Sequence, residues 1–200
     1  MDRPEWIAAD LKGEFVYATM TNNTKREKIN SANPRTNNIY GQIISWQAQS
    51  KDHAGKNFKW NIFALMGNPK VYPNGTRRGS SNINAENMFN SPDGLKFDKF
   101  GRLWIQSDGK YSNKGDYAGM GNNQMLCANP STGEIRRFLS GPVACEITGC
   151  AFSKDSTVMF VGIQHPGEFG AKSHFPNGKN TTPRSTVIQI KKLDGGVVGS

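Results

Sequence analysis

Acid and amide side chains recur where short strands begin and end along the 200-residue chain. Arg3 and Glu5 lead into the first strand of one strand pair, Asp93 into that of a second, and Glu146 into that of a third. Leaving the second strand of each pair are Thr21, Asn22 and Asn23, then Ser107, Asp108 and Gly109, then Gln164 and His165. Several carboxylates facing one opening repel one another unless cations lie between them. Carboxylate, amide and water oxygens suit hard ions such as calcium. Glu5, Asp93, Asp108 and Glu146 are therefore candidate metal ligands, and Asn22, Asn23, Gln164 and His165 are candidate supporting groups. Arg3 is the candidate catalytic residue, because its planar fork can pair two phosphate oxygens at once. Taken singly, each acid reads equally well as a solvated loop carboxylate, and His165 as a hydrogen-bonded structural histidine. Recurrence in three units favours the shared site.

The elements that would position these groups are three similar hairpins. Pro4 to Asp10 turns at Gly13 into Glu14 to Met20; Pro92 to Asp98 turns at Gly101 into Arg102 to Gln106; Glu146 to Ser153 turns near Asp155 into Thr157 to Ile163. Each reads as strand, tight polar turn and apolar strand. Asp10, Asp98 and Asp155 sit in the turns, where Asp caps its own backbone. Further strand signals follow each hairpin: Ile39 to Trp46 and Phe58 to Leu65; Asn123 to Ala128 and Glu134 to Leu139; Ser185 to Lys191 and a truncated Val197-Val198. The fold class is thus all-β, a partial β-propeller of about three four-stranded antiparallel blades spanning roughly 1–66, 91–140 and 145–200. A β-sandwich of twelve short strands is the alternative architecture. Antiparallel geometry places the start of each blade's first strand and the end of its second at the same mouth of a central channel.

The loops 22–38, 110–122 and 166–184 should rim that mouth. They hold nine basic residues (Lys25, Arg26, Lys28, Arg35, Lys110, Lys114, Lys172, Lys179 and Arg184) against Glu27, Asp116 and Glu168, which is six of the chain's net charge of +9. A positive rim concentrates anionic substrate. The charge is not gathered into blocks and no nucleic-acid motif occurs, so nucleic acid is not expected as a partner. Nor does any apolar run approach the ~20 residues of a membrane span. The opening Met1-Asp2-Arg3-Pro4-Glu5-Trp6 lacks the regions of a signal peptide and reads as cut from a longer chain. Mean hydropathy is −0.62, as expected for a loop-rich chain. Cys127, Cys145 and Cys150 form no CxxC pair and read as small residues in strands.

Arg3-Pro4-Glu5-Trp6 with Tyr17 to Asn23, Asn33-Pro34-Arg35 with Asn38 to Gly41, Ser91 to Leu95 with Gly101 to Ile105 and Ser107-Asp108-Gly109, and Glu146 to Gly149 with Ile163 to Glu168 together resemble the second half of PhoX-type alkaline phosphatases, in order and over nearly the whole chain. The resemblance implies a six-bladed propeller with a calcium and iron cluster at one mouth, hydrolysis of phosphate esters, and export to the periplasm or beyond. By position it implies that Arg3 holds substrate phosphate and that Glu5, Asp93, Asp108 and Glu146 ligate or support metal. The partner it implies is the family's N-terminal half, which carries an iron-binding cysteine; neither Cys145 nor Cys150 stands for that residue. A calcium-dependent propeller lactonase and a non-catalytic propeller binding module remain open as alternatives.

Overall fold

The structure is a computed structural model and describes residues 1–200. Three antiparallel sheets follow one another along the chain. The first is β1 (Pro4–Ala9), β2 (Phe15–Met20), β3 (Gln42–Ala48) and β4 (Phe58–Leu65), neighbours in that order. The second is β5 (Pro92–Phe97), β6 (Leu103–Ser107), β7 (Gln124–Ala128) and β8 (Ile135–Ser140). The third is β9 (Glu146–Phe152), β10 (Met159–Gln164) and β11 (Thr186–Ile190). β5 lies against β1 and β2 on one side and β9 on the other, so the leading strands are neighbours and the sheets fan out from them. That is how blades stand in part of a propeller.

Burial follows from this stacking. β6, in the middle sheet, is covered on both faces, and all five of its residues are buried. β10 alternates buried and less buried residues because only one of its faces is covered. One core cluster, with Tyr17, Ile43, Phe89, Leu95 and Ile105, fills the space between the first two sheets. A second, with Trp104, Met125, Ile147, Val161 and Ile163, fills the space between the second and third.

Two features depart from the sequence reading. The third sheet has three strands, and Val197-Val198 forms no fourth. Val198 is instead buried in the cluster around Trp104, its N–H donates to the Ser156 carbonyl, and its carbonyl and that of Gly199 accept from Arg102. The apolar side chain gains more cover against the second sheet than it would on the open edge of β11. The stretch between Leu65 and Pro92, which carries no strand signal, is also part of the core: Met66, Ile83, Met88 and Phe89 are buried. Amides hold it in place. Asn82 donates to the carbonyls of Phe63 and Gly133, and Asn87 to those of Asn82 and Ile135.

All three turn aspartates cap their hairpins. Asp10 accepts from the N–H groups of Glu14 and Phe15, and Asp155 from Thr157 and Ser153. Asp98 does more. Its carboxylate is buried and accepts from the N–H groups of Phe100 and Arg102, from Arg102 Nε at 2.6 Å and from Trp104 Nε1 at 2.8 Å. It joins the turn, an ion pair and the largest buried ring of the second core. Removing it strands the Arg102 charge and the indole N–H together. Asp98→Ala should therefore lower the unfolding free energy measured in urea by about 3 kcal/mol, and Asp155→Ala, whose bonds lie in solvent, should lower it far less.

Candidate functional site

A recurring irregularity shapes the mouth. In β1 the register moves from Pro4↔Met20 to Ile7↔Ala18, in β5 from Pro92↔Ser107 to Leu95↔Ile105, and in β9 from Thr148↔Gly162 to Cys150↔Val161. Each leading strand thus carries one extra residue near the same end. Such bulges re-aim side chains, and two of them contain candidate ligands, Glu5 and Asp93. The hydroxyl of Thr19, fully buried, binds both strands there: it accepts from the Trp6 N–H at 2.9 Å and donates to the Asp93 carbonyl at 2.7 Å. Counted from the bulges, Glu5 and Asp93 are equivalent. Glu146 precedes its bulge and pairs with Gln164 at the end of the sheet, so the three acids do not stand level as the repeat pattern suggests.

The carboxylates nevertheless share one opening. Asp93 has its pKa raised to about 7, first by burial and then by the negative charges of Glu146, Glu5 and Asp108, with Arg3 opposing. Glu146 is raised by burial and by Asp108, while His165 pulls it back. Asp108 reaches solvent, yet burial around its carboxyl raises its pKa, with His165 opposing and Glu168 adding to the rise. No three Asp, Glu, His or Cys groups converge as a complete metal-binding set within this chain.

The other candidates divide into two groups. Arg3 Nη1 donates to Asn22 Oδ1 at 3.1 Å, and its Nη2 lies 3.6 Å from Glu5 Oε1. Asn22 donates in turn to Ser91 Oγ, which places it at the mouth. Gln164 Nε2 donates to Glu146 Oε2 at 2.9 Å, and His165 Nε2 lies 3.3 Å from the same oxygen. His165 Nδ1 stands 3.5 Å from Glu168 Oε2, an ion-pair distance without hydrogen-bond alignment, so that nitrogen has no hydrogen-bond partner. Asn23 is different: it ladders with Asn38 and donates to Asp2.

Sequence reasoning passed over Asp2. Its carboxylate is fully buried and accepts from Asn23, Asn38 and Arg26, which ties the 22–38 loop to the residue before Arg3. This corrects the reading of the basic rim. Arg26 is paired with Asp2, and Arg35 is buried, donating to Asn38 Oδ1 and to the carbonyls of Met66, Thr76 and Gly41. Burial lowers the Arg35 pKa to about 10, and this guanidinium staples backbone together rather than facing an anion. Lys25, Lys28, Lys110, Lys114, Lys172, Lys179 and Arg184 remain exposed.

A raised carboxyl pKa has a definite sign. The folded chain holds the Asp93 proton up to about pH 7, whereas the unfolded chain releases it near 4. Stability contributed at this position is therefore lost as pH rises between those values. The Asp93 side chain makes no hydrogen bond that an amide would lose. In metal-free buffer Asp93→Asn should match the parent's melting temperature at pH 4 and exceed it increasingly toward pH 8, followed by circular dichroism. A constant offset across that range would show that the charge is not the cause.

No curated protein matches the chain. Among solved structures, one described as Pseudomonas fluorescens PhoX in complex with vanadate, a transition state analogue, aligns with a TM-score of 0.96 at 57% sequence identity. The alignment covers 100% of this chain and 35% of that one, so the chain spans about a third of that protein's length. The family described as alkaline phosphatase PhoX matches residues 1–167. A match over that much of the sequence, on a fold that superimposes throughout, shows that this chain belongs to the PhoX alkaline phosphatase family.

Proposed function

We propose that the chain forms one part of a metal-dependent phosphatase site that hydrolyses phosphate monoesters, the rest of the propeller supplying the remainder. The observation that carries this reading is Arg3. Its guanidinium is aligned by Asn22 and Glu5 at the edge of a mouth where burial, with other carboxylates adding to it, raises the Asp93 pKa to about 7. Family membership and the vanadate complex of the Pseudomonas fluorescens protein support it, since vanadate adopts the geometry of phosphoryl transfer.

The donors fit a hard cation. Glu5, Asp93, Asp108 and Glu146 offer only oxygen, they repel one another, and neither Asp93 nor Asp108 has a cationic partner within ion-pair distance in this chain. Calcium suits such a set, and the family resemblance adds iron. A cation held there would neutralise charge developing on the phosphate oxygens. The chain's own groups would do the rest. Arg3 donates charge-assisted hydrogen bonds to the equatorial oxygens, Gln164 and His165 fix the Glu146 carboxylate, and Asn22 keeps Arg3 from folding back onto the surface. No Ser-His-Asp arrangement is needed. No helix is long and apolar enough to cross a membrane, and periplasmic or extracellular residence is part of the proposal.

Calorimetric titration with calcium at pH 8 should show binding to the 200-residue chain, weakened at least tenfold by Asp108→Ala. Absence of any calcium heat would favour a non-catalytic binding module. On a protein that joins this chain to the rest of its propeller, with calcium and iron supplied, p-nitrophenyl phosphate should be hydrolysed far faster than a lactone, and Arg3→Gln should reduce the phosphatase rate by a factor on the order of 10². The chain alone should show little or no turnover. Turnover by it that a chelator leaves unaffected would contradict the metal-dependent reading.

A further inference from the structure

A cavity of about 550 Å³ opens beside Arg3 and Asp108, between the loops that follow β6 and β10. That volume suits a small organic molecule. Tyr111 and Phe169 line it, with Tyr117 and Ile39 also contributing apolar surface. Tyr111 donates its hydroxyl to the Glu168 carbonyl at 3.4 Å, which joins the two loops across the opening. The same cavity borders the proposed phosphate-binding arginine, so any group attached to a phosphate held by Arg3 has this space before it.

Phe169 is the most telling residue. It is 84% exposed, more than any other aromatic side chain of the protein, and its φ of +53° is a backbone region that phenylalanine rarely adopts. Within these 200 residues the ring gains little burial, and it is held in an unfavourable backbone between Gly167 and Gly170, which also have positive φ. A ring so placed is free to cover a ligand.

We propose that this cavity is the subsite for the organic group of the phosphate ester, and that it selects a planar aromatic one. The proposal rests on the phosphate reading of Arg3 and deepens it. Arg3 takes the phosphate; Phe169 and Tyr111 take the ring, by stacking and edge contacts that a small alkyl group cannot make. Lys110, Thr24 and Ser112 complete a polar outer wall, where substituents on the ring would meet water.

Phosphonates test the subsite without turnover. Phenylphosphonate and methylphosphonate, which carry the same anionic head and differ in the organic group, are titrated with inorganic phosphate as a third arm into the protein that joins this chain to the rest of its propeller, with calcium and iron supplied, at pH 8, followed by calorimetry. Phenylphosphonate should bind about tenfold more tightly than methylphosphonate, the equivalent of ~1.4 kcal/mol. In Phe169→Ser, whose side chain supports nothing in the fold, and in Tyr111→Leu, that advantage should shrink toward zero while methylphosphonate binds as before. Equal binding of the two phosphonates by the parent chain overturns the subsite and leaves the phosphate reading standing. Binding of none of the three compounds overturns both. An aromatic advantage that survives in both variants places the ring elsewhere and overturns the assignment to this cavity.

Discussion

The buried hydroxyl of Thr19 fixes the distance on which the acidic mouth depends. By bonding the Trp6 N–H and the Asp93 carbonyl together, it clamps the bulge of the first sheet to that of the second. Glu5 and Asp93 sit in those bulges and cannot swing apart to relieve their repulsion, because the strands on either side are held by ladder hydrogen bonds and by the core around Tyr17, Leu95 and Ile105. An exposed pair of acids on flexible loops would separate and ionise normally. Here burial of Asp93, with the charges of Glu146, Glu5 and Asp108 added, favours a retained proton instead. Sites that bind cations commonly carry such stored repulsion, which ion binding then releases.

Much of this frame was legible in the sequence, and the reasons are local. Each strand pair joins an apolar run to a turn with Asp or Gly at a defined place, and both signals act within a few residues. The hairpins at Asp10, Asp98 and Asp155 therefore appear where expected. The parts that were not legible depend on distant partners. Nothing in the neighbourhood of Val198 says that Trp104, from another sheet, will bury it. Nothing near Arg35 says that carbonyls of Met66 and Thr76 will surround it, so its charge reads as solvated. The bulges are missed for a related reason: one extra residue changes the register without changing the alternation enough to be seen over six residues. Asp2 offered a signal that went unused. An acid immediately before Arg3, at the entry to the first strand, suggests an anchor for the strand's beginning.

The amides around the mouth follow from the same electrostatics. Asn90, Asn123 and Asn22 hold the residues that carry or border the acids. Asn90 accepts from the Lys110 N–H and donates to the Lys110 carbonyl; Asn123 accepts from the Gly109 N–H and donates to the carbonyls of Gly109 and Cys145. Both fix the backbone that follows Asp108, and the fit is close enough that a Cβ on Gly109 would stand 2.1 Å from Asn90 Oδ1. Aspartate could accept the same N–H groups, but it could not donate to the carbonyls and would add negative charge beside carboxylates that already raise one another's pKa. Lysine or arginine could donate but not accept, and would offset the negative charge of the neighbouring acids. A side chain that does both and carries no charge holds the mouth rigid while leaving its potential to the four acids and Arg3. This is why the buried side chains that brace the backbone after Asp108, Asn90 and Asn123, are neutral amides.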